Sequence, residues 1–337
     1  MDTQEVARYL QHKVPRAQDI KIIRNQRISG GVSRQTWLVN AEWVEDGARA
    51  ERGFVFRRMH PGGASCPTPL WNEFMCHKIL GDNNILPIAK GLWFEHEYVR
   101  WFDGCEFYVR EQLDGNAVIP GLHDQGNEDL RISVAKDFAE NVAKFHMADW
   151  KKLGFADFLP EPVDDEDCFT QHIERWLGFW RKLHYMPFPT MTEALTWLKA
   201  NKPKKVGRIC LLKGDIGIGN EVYKDGKIQG MSDWELCSIG DPAKDWDWAL
   251  RRGVGALWEP RKILDYYEQL SGIHISEENL RYARVQNAFE LLVIIHPPGR
   301  NVIIGKDLNC YFPFFAISGQ HGNQKVMANA AGFYPNL

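Results

Sequence analysis

The sequence predicts an α+β chain of two lobes, a small mainly β N-terminal lobe over 1–112 and a larger mainly α C-terminal lobe over 113–337. Three observations predict it. Apolar residues in the first 112 positions alternate in short runs, the strand period. Beyond residue 128 the period lengthens to that of helices. No Pro/Gly/Ser-rich linker separates the halves, so the lobes join directly and the expected crevice lies at the joint.

The elements follow in order. Residues 3 to 12 have amphipathic helical spacing, and "DIKIIRNQRISGGVSRQTWLVNAEWV" alternates on both sides of a Gly-Gly turn, a hairpin signal. "GFVFRRMH" adds a strand, and "PLWNEFMCHKILG" reads as a helix stopped at Gly81. "GLWFEHEYVRWF" and "CEFYVREQL" are two more strands before Asp114-Gly115 breaks the pattern. Long helices are predicted in "EDLRISVAKDFAENVAKFHMADWKKLG", "FTQHIERWLGFWRKLHY" and "MTEALTWLKAN". Short strands in "RICLLKGD" and "NEVYKDGKIQGMSDW", the latter folded at Asp225-Gly226, interrupt them. Helices resume in "PRKILDYYEQLSG" and "SEENLRYARVQNAFELLVIIH".

At 337 residues each lobe can bury a core. A net charge of -3 with no Lys/Arg block argues against nucleic acid as a partner. The N-terminus has acids early and no apolar stretch of signal-peptide length, and no later run approaches a membrane span, so a cytoplasmic protein is expected. Cys66, Cys76, Cys105, Cys168, Cys210, Cys237 and Cys310 contain no CxxC pair and read as reduced, packed thiols.

The stretch "KGDIGIGNEVYKDGKIQGMSDWE" sets Asp215, Asn220 and Asp233 on successive loops beside apolar strands. Carboxylate and amide oxygens are the hard ligands of Mg²⁺, which takes few from protein and the rest from phosphate and water. Asn220 and Asp233 suit that partial shell, and Asp215, at the tip of a turn, suits acceptance of a hydroxyl proton. That division of labour is phosphoryl transfer. Upstream, "SGGVSRQT" offers backbone amides to phosphates, Arg57 lies in the next strand and Glu73 on the helix after it. A strand cation tethered by a helical carboxylate is how kinases hold nucleotide phosphates.

"KGDIGIGN…MSDWELCSIGDPAKDWDWAL" resembles the phosphotransferase family that includes aminoglycoside phosphotransferases and choline kinases, whose motif is HGDxxxxN followed by DW and GDP. Closer still is the kinase-like domain fused to some acyl-CoA dehydrogenases, which "ISGGVSRQTWLV", "FVFRR", "FYVREQLDG", "ENVAKFHMADWKKLGF" and "YYEQLSGIHISEENLRYARVQNAF" resemble in order. The resemblance implies a protein-kinase-like fold, ATP and Mg between the lobes, and transfer of the γ-phosphate to the hydroxyl of a small molecule. By position, Asp215 is similar to the catalytic base, and Asn220 and Asp233 to the metal ligands. Gly30, Gly31 and Ser33 match the phosphate loop, and Arg57 stands where these families usually carry Lys, with Glu73 as partner. Glu111, Gln112 and Leu113 correspond to the hinge that reads adenine. Lys213 replaces the His that braces the loop, and Asp241 corresponds to a structural residue capping the helix that begins near Ala243. Two other readings stay open: a nucleotide-binding pseudokinase, favoured only by Lys213 and Arg57, and an antibiotic kinase.

Ordinary readings compete at single positions. One of Arg57 and Arg58 should be merely solvated, since neighbours on a strand alternate in direction. His146 on its helix, and Trp176, Phe179 and Trp180 at helical spacing, read as core, and "EPVDDEDC" as a solvated loop and helix start. The short gap from Asp233 to the GDP at 240–242 leaves no platform for a peptide, so the acceptor is a small molecule. The segment from Arg281 onward carries Arg281, Arg284, Arg300, Lys306 and Lys325 against Glu290 and Asp307; if it closes over the acceptor site, as the resemblance implies, it favours a neutral or anionic hydroxy compound.

Overall fold

The chain starts with helix α1 (Thr3–Lys13), whose first turn is capped by the Asp2 carboxylate, which accepts from Glu5 N at 2.8 Å, and whose Val6, Tyr9 and Leu10 are buried. The computed structural model describes residues 1–28, 33–59, 68–96, 101–305 and 311–333. Strands β1 (Gln18–Ile28), β2 (Arg34–Glu45), β3 (Ala48–Met59), β4 (Gly91–Glu95) and β5 (Phe107–Glu111) form one antiparallel sheet in the order β1-β2-β3-β5-β4. Burial along β2 alternates, so Trp37, Val39, Ala41 and Trp43 all enter the core that α1 covers. Helix α2 (Leu70–Asp82) packs against β4 and β5. This register places Arg57, opposite Tyr108, on the middle strand of the sheet.

Helices α3 (Glu128–Met147), α4 (Asp165–Leu183), α5 (Pro189–Ala200), α6 (Ala243–Arg251), α7 (Pro260–Ser271), α8 (Glu277–Ile303) and α9 (Tyr311–Ala331) make up most of the rest. Two small antiparallel pairs are set among them: β6 (Cys210–Leu212) with β9 (Ser238–Gly240), and β7 (Glu221–Lys224) with β8 (Lys227–Met231). The β7–β8 turn has positive φ at both Asp225 (52°) and Gly226 (73°), the geometry that an Asp-Gly hairpin adopts. The fold class read from the sequence is therefore the observed one: an antiparallel sheet lobe followed by a mainly helical part.

Several local expectations need correction. The helix expected to stop at Gly81 runs to Asp82; Gly81 instead allows close approach of Lys90, whose Cγ lies 2.9 Å from where a Cβ would stand. Of the strand expected over "GLWFEHEYVRWF", Gly91–Glu95 is observed and Phe102 instead begins a single 3₁₀ turn, Phe102–Gly104; residues 97–100 lie outside the described residues. Helix α8 continues beyond His296 through Pro297 and Pro298, both buried, and α9 then packs along it; that burial offsets the helix hydrogen bonds the prolines cannot make. Neither this extension nor α9 was expected from spacing. Arg58 is not solvated: it is buried, donates to Gln35 Oε1 (2.8 Å) and Phe102 O (3.0 Å), and lies over the Trp37 ring.

The other ordinary readings hold. Asp164 caps α4 by accepting from Asp167 N at 2.8 Å, Asp165 accepts from Val206 N, and Glu166 pairs with Lys202. Trp176 is buried between α4 and α8, with Phe179 and Trp180 packed against the same cluster. No helix among the described residues is long and apolar enough to cross a membrane.

The interior of the helical part also holds charge. Glu290 on α8 lies 2.9 Å from Lys244 Nζ on α6 and 2.5 Å from His172 on α4, all with side chains at most 9% exposed. Burial alone would push the Glu290 carboxyl up, but His172 and Lys244 reverse this and hold it below the ordinary carboxylate range. Burial also lowers His172, against the opposing pull of the Glu290 charge. Glu290→Gln should then cost about 2 kcal/mol, because Lys244 stays buried with only a neutral partner. With the folded pKa depressed, this contribution is present above the ordinary glutamate value of 4.5 and lost as pH falls below it. Urea midpoints of wild type and variant at pH 7 and pH 4 check both: the gap should narrow at pH 4.

Candidate active site

The loop between β6 and β7 has its shape because Gly214, at φ +84°, passes so close to Leu236 that a Cβ would lie 2.5 Å from the Leu236 carbonyl oxygen. From that turn Asp215 projects. Its backbone carbonyl accepts from Asn220 Nδ2 (3.1 Å) and from the ammonium of Lys213, whose side chain is fully buried. Lys213 thus braces the loop through its side chain. Its amide and that of Gly214 donate to the Asp245 carboxylate on α6, at 2.8 and 2.9 Å, and Asp245 also receives His146 Nε2 at 3.3 Å. His146 is completed by the Tyr267 hydroxyl at 2.8 Å from Nδ1, so the packed reading of His146 is the observed one.

The Asp215 carboxylate is gripped by α6 as well. Trp248 Nε1 donates to its Oδ1 at 3.0 Å, and Arg252 Nη1 forms an ion pair with the same oxygen.

Asn220 and Asp233 are brought together by the Ser232 amide, which donates to Asn220 O at 2.9 Å. Asp233 has φ +66°, a strained position for a residue with a Cβ, which its surroundings must hold. Arg57 is one of those surroundings: its Nη2 lies 2.6 Å from Asp233 Oδ1, and its Nε sits 2.8 Å from Glu73 Oε1 in a charge contact. Burial works against the Arg57 charge, but Asp233 and Glu73 more than offset it, holding its pKa above the ordinary value. In return Arg57 and then Lys213 overcome burial at Asp233 and hold that carboxyl below its usual range.

Gly30 and Gly31 lie outside the described residues. Ser33, at the mouth of β2, donates its hydroxyl to the Glu235 carboxylate at 2.8 and 2.6 Å. Glu235 also has Arg34 Nε at 3.5 Å and Arg57 Nη2 at 3.9 Å, and burial followed by the Asp233 charge pushes its pKa up to about 8. At the end of β5, the Glu111 amide donates to Lys90 O and the Gln112 amide to Gly53 O, each at 3.0 Å. The Leu113 side chain packs on Gly230 of β8, where a Cβ would collide with it. Asp241 accepts from Ala243 N at 2.9 Å and Asn279 Nδ2 at 2.6 Å, tying the start of α6 to α8; burial raises its pKa to about 6 against those bonds.

Asp215, Asn220, Asp233, Lys213, Arg57 and Glu73 thus meet at one place, while Glu111, Gln112 and Leu113 stand at the end of β5. Sequence reasoning missed Glu235, Asp245, Trp248 and Arg252. The last three fall at i, i+3 and i+7 along "DWDWALRR", one face of a helix, a spacing that could have flagged them.

Residues 24–288 match the model of the phosphotransferase enzyme family APH. The mouse (Mus musculus) acyl-CoA dehydrogenase family member 11 is 26% identical over 208 residues, 58% of this chain and 25% of that protein. The Pongo abelii protein of the same name is 24% identical over 288 residues, 80% of this chain and 35% of that protein. The chain therefore spans about a third or less of the length of these relatives. An aminoglycoside 3'-phosphotransferase of Enterococcus faecalis is 23% identical over 203 residues, 58% of this chain and 70% of that protein. Among solved structures, a putative aminoglycoside phosphotransferase from Ralstonia eutropha superposes with TM-score 0.71 at 17% identity, covering 98% of each chain. A mutant of aminoglycoside phosphotransferase APH(4)-Ia in ternary complex with ADP and hygromycin B superposes with TM-score 0.61 at 16% identity, covering 97% of this chain and 98% of that one. At such identities the structures speak for the protein-kinase-like fold. The family model spans residues 24–288 of 337, and on that match the chain belongs to the phosphotransferase enzyme family.

Proposed function

We propose that the chain is an ATP-dependent kinase of a small hydroxylated molecule, working in the cytoplasm, with Asp215 as base and Asn220 and Asp233 as Mg²⁺ ligands. The observation that carries this reading is the convergence of Asp215, Asn220 and Asp233 with a strand cation, Arg57, held by a helical carboxylate, Glu73. The donor set fits the metal: two hard-oxygen side chains on adjacent loops, with no group of three or more His, Cys, Asp or Glu among the described residues that could form a closed cage. Mg²⁺ takes such a partial shell and completes it with phosphate and water. When bound it would neutralise charge on the transferring phosphoryl group.

The chain's own residues do the rest. Asn220 is oriented by its Nδ2 bond to Asp215 O, which turns Oδ1 away from that bond toward a ligand. Arg57 sits where a nucleotide's phosphates would compete with Asp233 for its guanidinium. Glu111–Leu113 form the hinge between the lobes of 1–112 and 113–337; two of their amides are already bonded, and the Leu113 amide, without a partner among the described residues, is the donor left for a base. Gly30, Gly31 and Ser33 cover the phosphates in this reading. Asp215 accepts the proton as the acceptor oxygen attacks.

For the acceptor, both charge features weighed in the sequence are modified by their partners. The acidic 161–167 run, which could have drawn a polycation, caps and staples α4. On the basic side, Arg284 is bonded to Asp247, and Arg281 to Ala330 O over the Trp197 ring. The exposed cation beside the base is Arg252, itself paired with Asp215, and on that charge we propose a neutral or anionic hydroxy compound in preference to an aminoglycoside. Incubation with Mg²⁺ and γ-labelled ATP across a panel of hydroxy acids, hydroxyacyl thioesters, aromatic alcohols and aminoglycosides tests this. Label should pass to a neutral or anionic acceptor and stop when EDTA is added. Nucleotide binding with no transfer to any acceptor would favour the pseudokinase, and preferential labelling of aminoglycosides would overturn the acceptor class.

A further inference from the structure

We infer that one face of α6, together with its C-cap residue, is the template that holds the base in working geometry, with Trp248 on the helix and Arg252 at its cap as positioning residues for Asp215. This rests on the kinase reading above. The motif that names Asp215 contains neither residue, and both lie more than thirty positions downstream.

Both donors go to one oxygen. The Trp248 indole and the Arg252 guanidinium converge on Asp215 Oδ1, which leaves Oδ2 as the oxygen able to take the hydroxyl proton. The same helix end is joined to the loop at two further points. Arg252 O accepts from Ile218 N at 3.0 Å, and Gly217, at φ +144°, passes so near that a Cβ would lie 2.6 Å from Arg252 Cβ. One turn earlier, Asp245 holds the amides of Lys213 and Gly214. Positions 245, 248 and 252 therefore grip the loop before, at and after the base.

The chemistry explains why orientation should matter more than basicity. In the transfer, the acceptor O–H bond breaks as its oxygen bonds to the γ-phosphorus. The proton passes to Asp215 Oδ2, and the bond to the β-phosphate oxygen breaks with its electron pair leaving on ADP. The transition state is loose, so a strong base adds little and a correctly aimed acceptor oxygen adds much. A carboxylate on a glycine-rich loop could rotate through many orientations, and two fixed donors on Oδ1 remove that freedom. Arg252 suits this better than Lys would, because its planar fork fixes direction as well as charge.

The test compares wild type, Asp215→Asn, Trp248→Phe, Arg252→Lys and Arg252→Gly in steady-state transfer, with ATP affinity measured separately. Arg252→Gly should lower kcat about 100-fold and Trp248→Phe about tenfold, with KM for ATP within about twofold. Added guanidinium should recover part of the Arg252→Gly loss, and Arg252→Lys should fall between. Wild-type transfer lost in Asp215→Asn but kept in Arg252→Gly would overturn the positioning role alone. So would a loss that guanidinium does not relieve, or one matched by a fall in ATP affinity and melting temperature, the signature of a structural contact. Absence of transfer in the wild type would overturn the kinase reading and the role with it.

Discussion

Asp215→Asn is expected to lower the rate of phosphoryl transfer about 10³-fold while leaving ATP affinity within about twofold. The substitution keeps the shape of the side chain and every backbone contact of the loop: the carbonyl of residue 215 still receives Lys213 and Asn220, and Gly214 still donates to Asp245. What it removes is the lone pair that, in the proposed reaction, takes the hydroxyl proton. It also removes the negative charge opposite Arg252, which is exposed enough to be solvated instead, so the fold should lose little. Transfer assays with ATP titrated by calorimetry separate the two effects. More than a tenth of wild-type kcat in this variant would mean that the proton leaves by another route, and a large fall in ATP affinity would make Asp215 part of the nucleotide site.

That Asp215, Asn220 and Asp233 belong together could be read in the sequence because the chemistry proposed for them, a base and two hard-oxygen ligands on the loops between short strands, constrains both type and spacing. The Arg57–Glu73 pair was legible for the same reason, a strand cation followed by a helical carboxylate. What pattern could not supply is contact across distance. Glu235 meets Ser33, 202 positions away, and Arg57 reaches Asp233 across 176, pairings that only the packing of sheet lobe on helical part creates. Arg58 was misjudged through the same gap: alternation on β3 gave its direction, but Gln35 and Phe102, which satisfy it there, come from other elements. The prolines of α8 failed differently. A helix rule based on lost hydrogen bonds was outweighed by burial against α9, an element the spacing had not revealed.

Asp245→Ala is expected to be the most damaging substitution away from the reacting atoms, costing about 3–5 kcal/mol of stability and most of the transfer rate. The Asp245 side chain is fully buried and collects three donors, the Lys213 and Gly214 amides and the His146 imidazole. Alanine would leave both amides without an acceptor in an interior that water does not reach, and would cut His146 from α6. Asp245→Asn should be intermediate in stability, since one oxygen is replaced by an NH₂ group that faces a donor. Burial pushes the Asp245 carboxyl up, but the His146 bond and charge, with Lys244 and the Lys213 amide, bring it below the ordinary value of 3.8. Its stabilisation is thus complete above that pH and lost as pH falls below it. The two effects of the asparagine variant can be told apart because the anchor sits one residue before the base. Denaturant midpoints read the buried amides, and kcat in the still-folded variant reads the aim of Asp215. A variant that unfolds earlier yet turns over at the wild-type rate would make Asp245 a support of the fold only. One that loses kcat well beyond its loss of folded protein would make the grip of α6 on the loop a condition of catalysis.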